Sequence, residues 1–385
     1  MKIVHICLGN FYIDNYSYQE NMLTKYHKEL GFEVEIIASL ESFDKNGDPC
    51  LLPKAGMYLN EHGIPVTRLK YKSKMWRKLR RYNGTYEAIV RSNPDILFIH
   101  GCQFLDIDKV VKYLQKNPKV EVYVDNHADY SNSARNFLSK NILHKIIWKR
   151  CAYSIEPYTK KFYGVLPARV AFLKKVYKLP TDKVELLLMG ADDQKVKEAR
   201  SYENKINMRN KLGIKEDDFL IITGGKIDSS KKQTLLLMDA VNKINNPKVK
   251  LIIFGSVTEE LKTEFFNKID GEFIKYLGWV EGEDSYKYFG TADLAVFPGR
   301  HSVFWEQVVG LGIPAFFKYW EGTTHVDLGG NCHFLFKDDV EEIKSKLEEI
   351  IGKPKMYKYM KTVAQEKGMK FFSYLEIAKK SVEID

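Results

Sequence analysis

Phe219-Leu220-Ile221-Ile222-Thr223-Gly224-Gly225-Lys226-Ile227-Asp228-Ser229-Ser230-Lys231-Lys232 starts as an apolar run, meets two glycines, crosses a polar loop and enters a long helical stretch through two lysines. A continuous run of β-formers bounded by glycine is the pattern of a strand buried on both faces, and a helix after it makes one unit of a parallel sheet. The unit repeats outward from there. A helix over Lys232–Ile244 leads to a strand at Val249–Phe254, a helix at Thr258–Ile269 and a strand near Phe273–Leu277. A helix at Asp284–Phe289, a strand at Leu294–Phe297, a short helix near Val303–Gly310 and a strand at Ala315–Lys318 follow. Upstream, a short helix over Asn204–Leu212 stops at Gly213.

The first half has the same alternation. Strands are expected at Lys2–Cys7, Val34–Ile37, Ile96–Ile99, Val120–Val124, Val170–Leu173 and Glu185–Leu188. A helix is expected from Ser17, where Ser17-Tyr18-Gln19-Glu20 has capping-box spacing, to Gly31. The chain's 385 residues, at ~150 per domain, suggest two domains. The fold class is therefore α/β, with two Rossmann-like doubly wound domains facing a central cleft. Residues 1–195 and 196–368 form the domains, and 369–385 form a helix that packs back on the first. In such sheets ligands bind at the carboxyl ends of the strands.

Composition narrows the classes. With 44% apolar and 29% charged residues the chain is not disordered. Its five cysteines are scattered, without C-x-x-C spacing, which argues against a disulfide framework or zinc knuckle and for a reducing compartment. No apolar run reaches the ~20 residues of a spanning helix, and the opening apolar stretch is too short for a signal peptide, so a cytoplasmic protein is expected. The net charge of +10 is concentrated in Arg68, Lys70, Lys72, Lys74, Arg77, Lys78, Arg80 and Arg81, interleaved with Trp76 and aliphatics. Such a segment suits an anionic membrane surface or a solvated helix face; no nucleic-acid motif accompanies it.

Two segments can carry chemistry. Gly224-Gly225 admits close approach of an anion, Lys226, Lys231 and Lys232 bring charge, and the following helix adds its N–H groups. Such lysines also occur at the exposed starts of ordinary strand–turn–helix units. Further on, Phe297-Pro298-Gly299-Arg300-His301-Ser302-Val303-Phe304-Trp305-Glu306 leads from a strand through a loop into a short helix. A carboxylate at Glu306 can accept hydrogen bonds from a ribose or sugar diol, or can simply compensate the helix dipole. Free N–H groups near Ser302–Phe304 can meet a phosphate. His127, just past a strand's carboxyl end, faces the expected cleft, as does His100 after the preceding strand.

These segments resemble the donor half of retaining, metal-independent GT-B glycosyltransferases of family 4. Gly225-Lys226 and Lys231-Lys232 are similar to the family's Gly-Arg…Lys-Gly segment. Trp305-Glu306-Gln307-Val308-Val309-Gly310-Leu311-Gly312-Ile313-Pro314 is similar to its Leu-Glu-Ala-Met-Ala-x-Gly-x-Pro. Tyr276-Leu277-Gly278-Trp279-Val280 and Asp293-Leu294-Ala295-Val296-Phe297-Pro298 match two further elements in order. The resemblance covers residues 205–380 well and the first half loosely.

The resemblance implies a sugar transferred from a nucleotide-diphosphate donor, UDP-sugar favoured and GDP-sugar possible, without metal or other cofactor. Lys231 holds the diphosphate, Lys226 stands for the family's arginine, and Glu306 holds the ribose. His127, in Val122-Tyr123-Val124-Asp125-Asn126-His127, lies beside the donor sugar. Gly225, His301, Ser302 and Val303 complete the donor site, and Tyr16, Tyr18, Gln19 and Asn21 meet a saccharide or polyprenyl-linked acceptor. Arg68, Lys70, Lys74, Trp76, Arg77, Lys78, Arg80 and Arg81 face the inner membrane surface of a bacterium, in polysaccharide or glycolipid synthesis. Two positions depart from the family. Pro298 stands where its first glutamate belongs, and the loop after the first strand lacks its Gly-Gly. A sugar-nucleotide epimerase, a phosphorylase and a non-catalytic sugar-nucleotide binder stay open; the absence of G-x-G-x-x-G argues against a dehydrogenase.

Overall fold

The computed structural model describes residues 1–44 and 48–384; Asp385, the last residue of the expected C-terminal segment, lies outside them. The chain divides into two compact units, Met1–Leu188 joined by the C-terminal stretch from Ile377, and Met189–Glu376.

Both edges of the second unit differ from the expected ones, for local reasons. The Asp192 carboxylate caps the helix Asp193–Ala199 by accepting from the Gln194 and Lys195 amides, and its own N–H donates to Tyr286 Oη at 2.9 Å. Residues 189–195 therefore belong to the second unit. So do residues 369–376: Ala191 N–H donates to Phe372 O (2.8 Å) and Tyr374 N–H donates to Ala191 O (3.2 Å). Only from Ile377 does the last helix, Tyr374–Ser381, count with the first unit, burying Ile377, Ala378 and Val382.

The sheet of the first unit runs Val184–Leu186, Thr159–Gly164, Glu121–Asn126, Ile96–His100, Lys2–Cys7, Glu33–Ser39, Pro65–Leu69 and Gly56–Leu59 in spatial order. All neighbours are parallel except the last pair. Val4, Ile6, Leu97, Ile99, Val122 and Val124 are completely or almost completely buried, as expected of strands covered on both faces. Two expectations fail here. Val170–Leu173 is not a strand, because Pro167 opens a helix, Pro167–Phe172, that packs within 2.3 Å of the site of a Cβ on Gly164. The strand is Thr159–Gly164, masked in sequence by Lys160 and Lys161. Nor does Ser17 cap its helix: Gln19–Glu29 starts after Tyr18, whose carbonyl accepts from the Asn21 and Met22 amides.

The second sheet is fully parallel, in the order Ile274–Tyr276, Val249–Phe254, Phe219–Gly224, Leu294–Phe297, Ala315–Lys318 and Cys332–Leu335. Its first strand in the chain, Phe219–Gly224, lies in the middle, with the next two on one side and the later three on the other. The strand order thus reverses between Phe219–Gly224 and Leu294–Phe297, and a crevice opens at their carboxyl ends.

Candidate active site

At that reversal a small pocket, open to solvent, is lined by Gly224, Gly225, Lys226, Lys231, Pro298 and Arg300, among others. Three glycines make it. Gly225 sits at φ +113°, and the site of a Cβ there is 3.6 Å from both Lys231 Nζ and the Phe304 ring. A Cβ on Gly255 would strike the Gly225 carbonyl, and one on Gly299 would lie 2.9 Å from Lys231 Cα. Bare backbone from three loops thus meets beside one lysine.

Lys231 is half-buried, and among the described residues no carboxylate pairs with its Nζ. Burial, with Arg300 nearby, pulls its ammonium below the ordinary lysine value, while Asp228 pulls the other way. Its position corrects one expectation. The helix starts at Thr234, so Lys231 and Lys232 precede it. Asp228 is the reason: its carboxylate accepts from the Ser230 amide (3.0 Å) and its carbonyl from the Lys231 amide (2.8 Å), folding the loop into turns first. Lys226 lines the cavity and is exposed.

Glu306 is fully buried in the first turn of the helix Phe304–Gly310. His301 Nε2–H and His325 Nε2–H both donate to its Oε1, at 2.8 and 2.7 Å. Burial works against the charge, but the two imidazoles outweigh it and hold the carboxyl at about 2. Among the described residues its Oε2 has no hydrogen-bond partner, and neither do the buried Ser302 Oγ and His325 Nδ1. Acceptors and a hydroxyl without partners, buried at the mouth of a helix, have the chemistry to receive a diol. Val303 is exposed. His325 escaped the sequence reading because it comes from a separate turn, Thr324–Val326, with no spacing to betray it. His301, Glu306 and His325 are also a group, among the described residues, whose ligand atoms lie within 4.8 Å of one another and could hold a metal ion.

In the first unit, His127 follows directly on Glu121–Asn126. Its Nε2 is 3.4 Å from Asp125 Oδ2 and 3.9 Å from Glu20 Oε1. Burial lowers its proton affinity, and these two carboxylates more than restore it, so the net shift is upward. His100 does not face an open edge as expected; it is fully buried against Asp125. Tyr16 and Tyr18 are partly exposed with rings 5.1 Å apart. Gln19 is buried with neither amide atom partnered, and Asn21 Nδ2 donates to Ile13 O at 2.9 Å, holding the loop.

The basic segment is not one free face. The buried Arg68 donates to Tyr12 O, Ser39 O and Asp14. Arg77 pairs with Glu41, Arg81 with Asp106 and Asp108, and Arg80 donates to the carbonyls of Gly9 and Gln103. Arg81 also covers the Trp76 ring at 5.7 Å. These four arginines and Trp76 are thus held by the protein itself, because the segment crosses the loop ends of the sheet, where carbonyls and carboxylates collect. Lys70, Lys72, Lys74, Lys78 and Met75 stay exposed.

Residues 204–367 match the family described as Glycosyl transferases group 1. Over 222 residues the chain is 22% identical to an uncharacterized glycosyltransferase, MJ1607, of Methanocaldococcus jannaschii; the match takes 54% of this chain and spans about half (55%) of that relative. Among solved structures, Anabaena HepE in complex with UDP has a TM-score of 0.68 at 15% identity, over 100% of this chain and 99% of its own. UDP-GlcNAc 2-epimerase of Neisseria meningitidis bound to UDP-GlcNAc has a TM-score of 0.65 at 11% identity, over 100% and 99%. The fold is GT-B, with two Rossmann-like units. Among the described residues no helix is long and apolar enough to cross a membrane.

Proposed function

We propose that the protein is a glycosyltransferase that moves a sugar from a nucleotide-diphosphate donor, UDP-sugar before GDP-sugar, to a saccharide or lipid-linked acceptor, with retention and without a metal ion. One observation carries the reading: Lys231, half-buried and among the described residues without a carboxylate ion-pair partner, stands at the strand-order reversal where three glycine loops let backbone approach closely. The match of residues 204–367 and the UDP held by the Anabaena neighbour support it.

In this reading charge develops on the leaving diphosphate. Lys231 neutralises it at short range and Lys226 from the rim, in the role a metal ion fills elsewhere. The helix Phe304–Gly310 has seven residues, so its dipole adds less than the lysines. Glu306 accepts from the ribose hydroxyls through Oε2, with Oε1 pinned by His301 and His325. His127 holds the donor sugar. Tyr16, Tyr18 and Gln19 serve the acceptor, and Asn21 shapes their loop. The reading extends to a cytoplasmic protein bound to an anionic membrane through Lys70, Lys74 and Lys78, making surface polysaccharide or glycolipid.

Thermal unfolding with UDP, GDP, ADP and NAD, each with and without magnesium, tests the donor site. A ligand at ~100 times its dissociation constant stabilises by about 2.7 kcal/mol. A shift with UDP that needs no magnesium is expected; a shift with NAD alone refutes the reading. Pro298, standing where the family has a carboxylate, favours a second reading, a sugar-nucleotide binder without transfer. UDP binding with no product from any acceptor supports that one.

A further inference from the structure

Three histidines and one aspartate lie in a single hydrogen-bonded line beneath His127. His27 Nε2 faces Ala378 O (3.1 Å) and Ser381 Oγ (2.9 Å). His27 Nδ1 meets His5 Nε2 at 3.0 Å, His5 Nδ1 meets His100 Nε2 at 2.9 Å, and His100 Nδ1 meets Asp125 Oδ2 at 2.7 Å. All four side chains are 0% exposed. The elements are far apart in sequence: the strands Lys2–Cys7 and Ile96–His100, the helix Gln19–Glu29 and the last helix.

Counting protons gives the state of this line. A carbonyl only accepts, and with the single Ser381 hydroxyl proton placed on that carbonyl (2.8 Å) rather than on His27, His27 carries its proton on Nε2. At the other end a carboxylate accepts. Between two accepting ends lie four links, each needing one proton, whereas three neutral imidazoles supply three. The fourth proton makes one ring an imidazolium. Of the three rings in the line only His100 lies against the carboxylate, at 2.7 Å, which favours the charge on that ring. The cluster is then neutral overall, as full burial requires.

We propose that this line keeps His100 doubly protonated and Asp125 ionised, so that the Asp125 charge, 3.4 Å from His127 Nε2 without a hydrogen bond between them, favours a proton on that edge of His127 and leaves its other ring nitrogen to the substrate. Asp125 and His100 are thus positioning residues for His127, in the manner of a carboxylate that fixes a histidine tautomer. Among the described residues neither Asp125 Oδ1 nor His127 Nε2 has a hydrogen-bond partner; His100 and His127 both approach Asp125 through Oδ2. The remaining groups facing this end are Glu20 from the helix Gln19–Glu29, Arg169 from Pro167–Phe172, and the Cys7 thiol, which burial keeps neutral. The role in catalysis rests on the proposed transfer reaction; the protonation pattern does not.

Side-chain ¹⁵N–¹H correlation spectra of the full-length protein at pH 8 test the pattern without any nucleotide sugar. His100 is expected with protons on both ring nitrogens, and His5 and His27 with Nε2 alone protonated. A bare ring nitrogen on His100 overturns the proposal. His100→Gln then removes the charge while its amide can still donate to both neighbours. Losing that cation leaves Asp125 to His127 alone, so the His127 titration midpoint rises by about one pH unit, a tenfold change in proton affinity. An unchanged or lowered midpoint overturns the positioning role. In the active enzyme the same variant moves the pH profile of kcat and leaves UDP affinity as it was; a protein without transfer activity still answers both spectroscopic questions.

Discussion

In the proposed reading Lys231 is the side chain on which diphosphate binding by the second unit turns. Lys231→Ala removes a charged donor from a site partly shielded from water, where such a bond contributes ~1.5–3 kcal/mol. UDP affinity measured by calorimetry is expected to fall about 10- to 100-fold; unchanged affinity refutes the assignment. Gly299→Ala tests the same contact from the other side, because its Cβ would sit 2.9 Å from Lys231 Cα and must push that residue off its place. A weaker loss of UDP affinity, of about tenfold, should follow with little change in melting temperature. Glu306 is the complementary case. Its carboxyl titrates at about 2 in the fold against an ordinary 4.5, so the unfolded chain binds its proton first. That contribution is complete above pH 4.5 and is lost as pH falls towards 2. It amounts to on the order of 3 kcal/mol, the size of a shift of about 2.5 units at 1.36 kcal/mol each. Glu306→Gln should therefore flatten the acid limb of the stability curve and abolish UDP binding, since an amide cannot accept from two imidazoles and a ribose together.

Elements with one clear period were legible from sequence, and those shaped by distant partners were not. The run Phe219–Thr223 with Gly224-Gly225 gave both the strand and the crevice, because a continuous apolar run can only be buried on both faces. Thr159–Gly164 hid behind two lysines that pair with Glu121 and Glu185 on the neighbouring strands, and Cys332–Leu335 was too short to show a period. At the site, Glu306 and Lys231 stood in local motifs. His325, and the line from His27 to Asp125, exist only because remote elements meet. The basic segment shows the limit most plainly: composition alone cannot separate arginines that pair internally from lysines that stay in solvent. That division makes a prediction. Lys70, Lys72, Lys74 and Lys78 remain for an anionic surface, worth about 1 kcal/mol each near it. Flotation with anionic vesicles should fail at high salt and in a Lys74→Glu, Lys78→Glu double variant, while Arg77→Ala lowers stability instead. Equal recovery with neutral and anionic vesicles refutes membrane attraction.

Across the whole molecule, buried ionisable groups are unevenly divided, and acid should reveal it. The first unit encloses three imidazoles that burial holds neutral: His27 and His144 at about 4, and His5 well below its ordinary value. His144 is fixed between Tyr177 Oη (2.9 Å) and Ser133 Oγ (2.8 Å). The second unit has one comparable ring, His333, and it is only half-buried. Each folded value lies below the unfolded one, so the unfolded chain takes up protons first as pH falls, and stability drops between about pH 6.5 and pH 4. For a ring moved from about 6.5 to about 4, the loss on going from pH 7.5 to pH 5 is roughly 2 kcal/mol. The first unit should lose several kcal/mol over that interval, before Glu306 begins to affect the second unit below pH 4.5. Urea unfolding followed by hydrogen exchange at pH 7.5 and pH 5 separates the units. Exchange protection should fall first in the strands Lys2–Cys7 and Ile96–His100, with Phe219–Gly224 and Leu294–Phe297 still protected. Equal loss in both sheets would mean that the acid response belongs to surface charge rather than to the enclosed histidines.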